Sequence, residues 1–184
     1  MSTLRPGAFL DRDGTINVDH GYVTAVADLE LLPCAVKGLA ILADAGFVLV
    51  VVTNQSAVGR GWATLDDVAE VNAELARRLS ARGVRIDAWQ VCPHEPGAGC
   101  RCRKPEPGMV HDAAADLGLD LTRSVIIGDK LSDAQLAVTG NLGLGAVVVG
   151  SGEQMDDAVA VADLAEAARI AAARLAESAP DSSS

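Results

Sequence analysis

Aromatic side chains are scarce in this chain. Its 184 residues hold two Phe, two Trp and one Tyr. A core of ordinary size must then be built from Ala, Val, Leu and Ile, within a hydrophobic fraction of 49%. Long apolar runs are missing too. None reaches the ~20 residues that a bilayer-spanning helix needs. The N-terminus, Met1 to Gly7, has no signal-peptide apolar stretch ahead of the first strand, so the expected location is the cytoplasm. Basic residues are few, 15 against 25 acidic, which leaves a net charge of -10 and a pI near 4.6. That field disfavours nucleic acid and anionic membranes as partners. It does not disfavour a phosphorylated small molecule, because local cations and a metal can outweigh the net field. There are only four cysteines. In a reducing compartment they are metal ligands or bystanders sooner than disulfides.

What is present reads as one domain over 1–178 with a flexible tail at 179–184. No repeat and no internal linker divides it. Apolar strands alternate with amphipathic helical stretches. Strands are expected at Ala8–Leu10, Val48–Val52, Ile86–Val91, Val125–Ile127 and Ala146–Val149. Helices are expected from Pro33 through Ala45, from the Thr64 cap to about Arg82, from Pro107 to Leu117, over Ser132–Val138, and over Leu164–Ala176 after the Asp163 cap. The β-α-β order implies an α/β fold: a three-layer, Rossmann-like parallel sheet with helices on both faces. The run Phe47–Val52 is apolar without alternation, as in strands covered on both sides. Ligands in such folds bind beyond the carboxyl ends of the strands.

Three polar motifs fall at those ends. The first strand ends in Asp11-Arg12-Asp13-Gly14-Thr15, the second in Thr53-Asn54-Gln55-Ser56, the fourth in Gly128-Asp129-Lys130-Leu131-Ser132-Asp133. Each alone is an ordinary polar turn or helix cap. Together they converge on one crevice. Carboxylate oxygens suit Mg²⁺, with Asp11 and Asp129 as ligands. A carboxylate such as Asp11 can attack a phosphoryl group. A second carboxyl two residues on, Asp13, can protonate the leaving alkoxide and then activate water.

A loop after the third strand holds a second constellation. Cys92, His94, Cys100 and Cys102 have the spacing C-x-H-x₅-C-x-C. Three thiolates and an imidazole form a closed tetrahedral Zn²⁺ set, so the metal expected across the 92–102 loop is structural. It would hold Arg103 and Lys104, which follow directly. Cys34 is expected to be a small buried hydrophobe.

The motifs Asp11-x-Asp13-Gly14-Thr15, Thr53-Asn54, Lys104 and Gly128-Asp129-x-x-x-Asp133 resemble, in order, those of the haloacid dehalogenase superfamily, over almost the whole chain. The resemblance implies a phosphatase with Asp11 as nucleophile and Asp13 as acid/base, the Asp13 backbone carbonyl also meeting Mg²⁺. It implies Thr53 and Lys104 as phosphoryl-binding groups, with Lys130 and Asp133 behind them, Asp133 orienting Lys104 or a metal-bound water. The zinc loop and Gly21-Tyr22-Val23 narrow the likeness to the D,D-heptose 1,7-bisphosphate phosphatases and their relatives, the histidinol-phosphate phosphatases. Both have a minimal cap or none. The likeness puts Asp19, His20, Gly21, Tyr22, Thr53, Asn54, Gln55, Ser56, Arg103 and Lys104 against a phosphorylated sugar, and a monomer is expected. Arg103 is suited to grip a distal phosphate. Ala57, Glu95 and Cys34 depart from the usual Gly, His and Gly; the first two bear on the substrate more than on the reaction.

Other residues carry less. His20, although inside the substrate segment, reads on its own as a solvated loop histidine. His111 reads as a helix-face residue, Trp62 and Trp89 as packing, and Asp156 with Asp157 as solvated surface. Arg60 is left open between solvent and a second phosphate. The leading activity is hydrolysis of the 7-phosphate of a heptose 1,7-bisphosphate. Histidinol phosphate, another small sugar phosphate, a phosphomutase reaction and a non-catalytic zinc module are the alternatives.

Overall fold

The structure is a computed structural model describing residues 4–150 and 158–178. The expected tail at 179–184 and the pair Asp156 and Asp157 lie outside them. Six strands, β1 (Arg5–Leu10), β2 (Val48–Asn54), β3 (Ala88–Cys92), β4 (Leu119–Gly128), β5 (Ala146–Val149) and β6 (Ala158–Val161), form one sheet in the order β3-β2-β1-β4-β5-β6. Every neighbouring pair is parallel. The order reverses at β1, which makes the carboxyl end of β1 the switch-point crevice.

Register decides what meets there. Leu10 lies opposite Val51 on one side and Ile127 on the other. Asp11 is therefore level with Val52 and Gly128, one step short of Thr53 and Asp129. The Asp11 N–H donates to the Ile127 carbonyl at 2.9 Å, which carries the ladder one residue past β1.

The strands alternate strictly between two cores. Ala8, Leu10, Leu49, Val51, Val125 and Ile127 face helices α1 (Ala35–Asp44), α3 (Leu65–Ser80) and α6 (Leu164–Glu177). Phe9, Val48, Val50, Val52 and Ile126 face α4 (Gly108–Leu117) and α5 (Leu131–Thr139); the short α2 (Ser56–Gly59) follows β2 directly. Each of these Val, Leu, Ile and Phe side chains, fully buried, contributes roughly 1.5–3 kcal/mol. With few aromatics, the helices must close in. Gly38 of α1 shows how: a Cβ there would stand 2.6 Å from the Leu164 carbonyl oxygen at the start of α6.

Helix starts follow local chemistry. Thr64 caps α3 through a reciprocal box with Asp67: its hydroxyl accepts from the Asp67 N–H at 3.1 Å, and the Asp67 carboxylate accepts from the Thr64 N–H at 2.7 Å. Asp163 caps α6. Two expectations fail at α1. Pro33 does not open it, because Cys34 takes a left-handed conformation (φ 65°) that separates Pro33 from the helix. Cys34 is also exposed, not buried. β6 and α2 were not expected, and β1 and β4 begin earlier than their apolar cores. Neither the β1–α1 nor the β3–α4 connection carries an inserted domain among the described residues, so the crevice has no large cap.

Candidate active site

The centre of the crevice is a compact charge cluster. Asp11 is 5% exposed, and its Oδ1 accepts from the Arg12 N–H at 2.7 Å. The Lys104 ammonium, equally buried, lies 2.9 Å from Asp11 Oδ1 and 2.6 Å from Asp133 Oδ1. Burial pushes the Asp11 carboxyl up to about 7; Lys104 opposes that, and the Asp133 and Asp129 charges add to it. Burial alone would lower Lys104, but the two carboxylates outweigh it and hold the ammonium above its ordinary value. Asp129 is also raised, chiefly by burial, and its Oδ1 is buried with no hydrogen-bond partner among the described residues.

These facts test a cation. Oxygens of Asp11, Asp129 and Asp133 lie within 4.8 Å of one another. Lys104 pairs Asp11 and Asp133 but not Asp129, whose Oδ1 has no hydrogen-bond partner among the described residues. That is a negative excess of hard oxygen donors, which suits Mg²⁺. Gly14 keeps the space open: its φ is 84°, and a Cβ there would collide with the Asp129 carboxylate.

Asp13 is held from several sides. The guanidinium of Arg12 donates to both its oxygens, at 3.1 and 3.0 Å, and Asn17 and Gln55 each donate at 2.8 Å. Arg12 itself is fully buried, and it also donates to Asn72 Oδ1 at 2.8 Å and to the Val23 carbonyl at 3.0 Å. Sequence reasoning assigned no role to Arg12, Asn17 or Asn72. The one available signal was an arginine beside two carboxylates at a strand end, since a cation buried there needs full pairing.

The loop after β2 ties the remaining groups together. Thr53 is buried and accepts from Gln55 Nε2 at 2.8 Å. Asn54 exchanges bonds with the backbone of Lys104, donating to its carbonyl at 3.2 Å and accepting from its N–H at 3.0 Å. Across the mouth, Lys130 Nζ meets Asp19 Oδ2 at 2.9 Å.

Asp11, Asp13, Asp19, Gly21, Tyr22, Thr53, Asn54, Gln55, Ser56, Arg103, Lys104 and Lys130 line one cleft of about 270 Å³, with Ser132 added. His20 is an exposed loop residue and is not among its walls. A wider hollow of about 580 Å³ lies along the zinc-loop segment and shares Arg103 and Lys104. It lacks Asp11, Asp13 and Thr53, so the chemistry belongs to the smaller cleft. Trp62, expected to pack, is instead 63% exposed; Trp89 packs against the core as expected.

The Cys92, His94, Cys100 and Cys102 ligand atoms also fall within 4.8 Å of one another. The Cys92 sulfur is 3.7 Å from that of Cys100 and 3.2 Å from that of Cys102, and His94 Nδ1 is 3.3 Å from the Cys102 sulfur. A tetrahedron with Zn–S bonds of ~2.3 Å has edges of about 3.7 Å, so the set fits. Burial pushes the Cys92 thiol up to about 12, so without a cation it stays protonated. The cluster is wired to the cleft: Gln55 N–H donates to the Cys92 carbonyl at 2.8 Å, and Arg103 donates to the His94 carbonyl at 2.9 Å.

A buried carboxylate cluster at the switch point, a buried lysine and no large cap among the described residues fit a phosphatase of the HAD-like class. Residues 101–178 match the HAD-hydrolase-like family model. The chain belongs to the family whose curated members are named D-glycero-beta-D-manno-heptose-1,7-bisphosphate 7-phosphatase. It is 37% identical to the Yersinia pestis member over 182 residues, covering 91% of this chain and 97% of the relative. To the member from Escherichia coli K12 it is 41% identical over 150 residues, 78% of each chain. The crystal structure of the D,D-heptose 1,7-bisphosphate phosphatase of B. bronchiseptica, complexed with magnesium and phosphate, superposes with a TM-score of 0.80 at 31% identity, covering 95% of this chain and 99% of that one.

Proposed function

We propose that this chain, acting as one catalytic domain over 1–178, removes the 7-phosphate of D-glycero-D-manno-heptose 1,7-bisphosphate through an aspartyl-phosphate on Asp11. One observation carries the reading: the Asp11 carboxylate is buried at the switch point, between the Lys104 ammonium and the unpaired Asp129 oxygen. Asp11, Asp129 and the Asp13 backbone carbonyl would hold Mg²⁺, which offsets the repulsion between a carboxylate and a phosphate dianion.

The side chains divide the work. Asp11 attacks phosphorus; its oxygen–phosphorus bond forms while the bond from phosphorus to the sugar oxygen breaks. Asp13 gives the sugar oxygen its proton, then takes one from the water that attacks the aspartyl-phosphate and releases inorganic phosphate. Lys104 and Thr53 receive the phosphoryl oxygens, and Asp133 holds Lys104 in line. Arg103 suits the distal phosphate, since a guanidinium grips two oxygens at once. Zn²⁺ on the Cys92 loop would fix Arg103 and Lys104 in place. The setting we infer is the reducing cytoplasm, where Cys92, Cys100 and Cys102 stay available as metal ligands.

The test is phosphate release from a panel of phosphomonoesters, with Mg²⁺ and with EDTA. The bisphosphate should show the highest kcat/KM, lost with EDTA and in Asp11→Asn. A higher kcat/KM on histidinol phosphate overturns the substrate; activity surviving Asp11→Asn overturns the mechanism.

A further inference from the structure

The cleft is small for the ligand proposed. Its 270 Å³ falls below the roughly 300–1,000 Å³ of pockets that enclose a small organic ligand. With no cap above it, the part of the substrate that does not react must lie across the rim. The rim on one side is built from three loops. Tyr22, from the loop after β1, lines the cleft and is 43% exposed. Trp62, between α2 and α3, stands edge-to-face against it, the ring centroids 5.2 Å apart and the planes at 88°. Arg60 places its guanidinium 5.2 Å from the Trp62 ring centre, and its Nη1 lies 3.9 Å from Glu95 Oε2 in the zinc loop.

Each feature is unexpected on a surface without a ligand. The chain has five aromatic residues, and two of them are spent here in the open. The pair is not packed into a core; it is propped in place. Tyr22 sets its angle, Arg60 covers it, and the backbone holds Arg60 close to the zinc loop through Gly59, whose N–H donates to the Pro93 carbonyl at 2.8 Å. The Arg60–Glu95 pair is long and half exposed, so it contributes little and can yield to a phosphate.

Resting on the sugar bisphosphate reading above, we infer that Tyr22, Trp62 and Arg60 form an outer subsite that takes the sugar ring and selects phosphate esters with a large, hydroxylated, anionic body over short ones. Apolar C–H faces of the ring would meet the aromatic pair, while Arg60 would join Arg103 at the single distal phosphate. The subsite acts on binding and leaves the bond-breaking groups untouched.

The experiment compares wild type with Trp62→Ala, Trp62→Phe and Arg60→Gln, on heptose 1,7-bisphosphate and on the short ester ethyl phosphate. Trp62→Ala should lower the ratio of the two kcat/KM values about tenfold, through KM for the bisphosphate. Trp62→Phe should recover most of it, and Arg60→Gln should lower it by a similar factor. Equal losses on both substrates, or an unchanged ratio, overturn the subsite. A second measurement does not depend on turnover: titrating the bisphosphate into Asp11→Asn protein should shift tryptophan emission, and the shift should vanish in Asp11→Asn/Trp62→Phe. A shift that persists in that double variant also overturns it. If wild type ignores the bisphosphate but hydrolyses another sugar phosphate, the substrate reading fails alone, and the subsite is judged by the same ratio on that ester. If it hydrolyses no sugar phosphate, both fail.

Discussion

Asp11 shows how burial and function pull against each other at a single carboxyl. Its ordinary value of 3.8 rises to about 7 because burial penalises the ionised form more than Lys104 rewards it. A raised carboxylate means that the folded chain holds its proton more tightly than the unfolded chain does. Between pH 4 and 7 the folded state therefore binds more protons, and stability from this group falls as pH rises, levelling off above 7. The full swing is on the order of 4 kcal/mol. Asp11→Asn removes it. In EDTA, the variant's stability advantage over wild type should grow from pH 4.5 to pH 8, read from urea midpoints, and Mg²⁺ should shrink it at pH 8. A difference that stays constant with pH would contradict the raised carboxyl. Asp11, Thr53 and Asp129 were legible in the sequence because each follows a recognisable apolar strand. Arg12 and Asn72 were not. Their pairing spans sixty residues and exists only because α3 turns one polar side chain toward the crevice.

At the scale of elements, the strongest local conflict is Cys34. A non-glycine residue in the left-handed region costs ~1–2 kcal/mol, and only part of that is regained by a side chain's smaller unfolded-state entropy. Cys34→Gly should stabilise the protein by about 0.5–1 kcal/mol, seen as a higher urea midpoint at unchanged slope. The 92–102 loop would carry the opposite lesson, a segment with little apolar content that the proposed Zn²⁺ would order through Cys92, His94, Cys100 and Cys102. Stripping Zn²⁺ with a strong chelator and then restoring Mg²⁺ should leave kcat/KM down by about 10- to 100-fold, because Arg103 and Lys104 lose their anchor. Adding back one Zn²⁺ per chain should recover it; full activity in the zinc-free protein would remove the anchoring role. This loop was readable from ligand types and spacing. β6 was not, because Ala158–Val161 is four residues long, half exposed and at the sheet edge, where periodicity has little to act on. The first half of β4 was missed for a related reason. Asp120, Thr122 and Arg123 break the apolar pattern, although Leu119 still pairs with Arg5.

At the scale of the whole chain, the two cores cannot melt separately. They are opposite faces of the same strands: Leu10 belongs to one and Phe9 to the other, as do Val51 and Val50, and Ile127 and Ile126. Exposing either face removes the packing that orders those strands, and with it the other face. The active site follows, since Asp11 continues β1 and Asp129 directly follows β4. Zinc-loaded protein in urea should therefore unfold in a single transition. Far-UV circular dichroism, which follows the helices of both layers, and phosphatase activity should give coincident midpoints. A separate early loss of helix would show that the α4–α5 layer stands apart from the sheet and that the chain holds more than one cooperative unit.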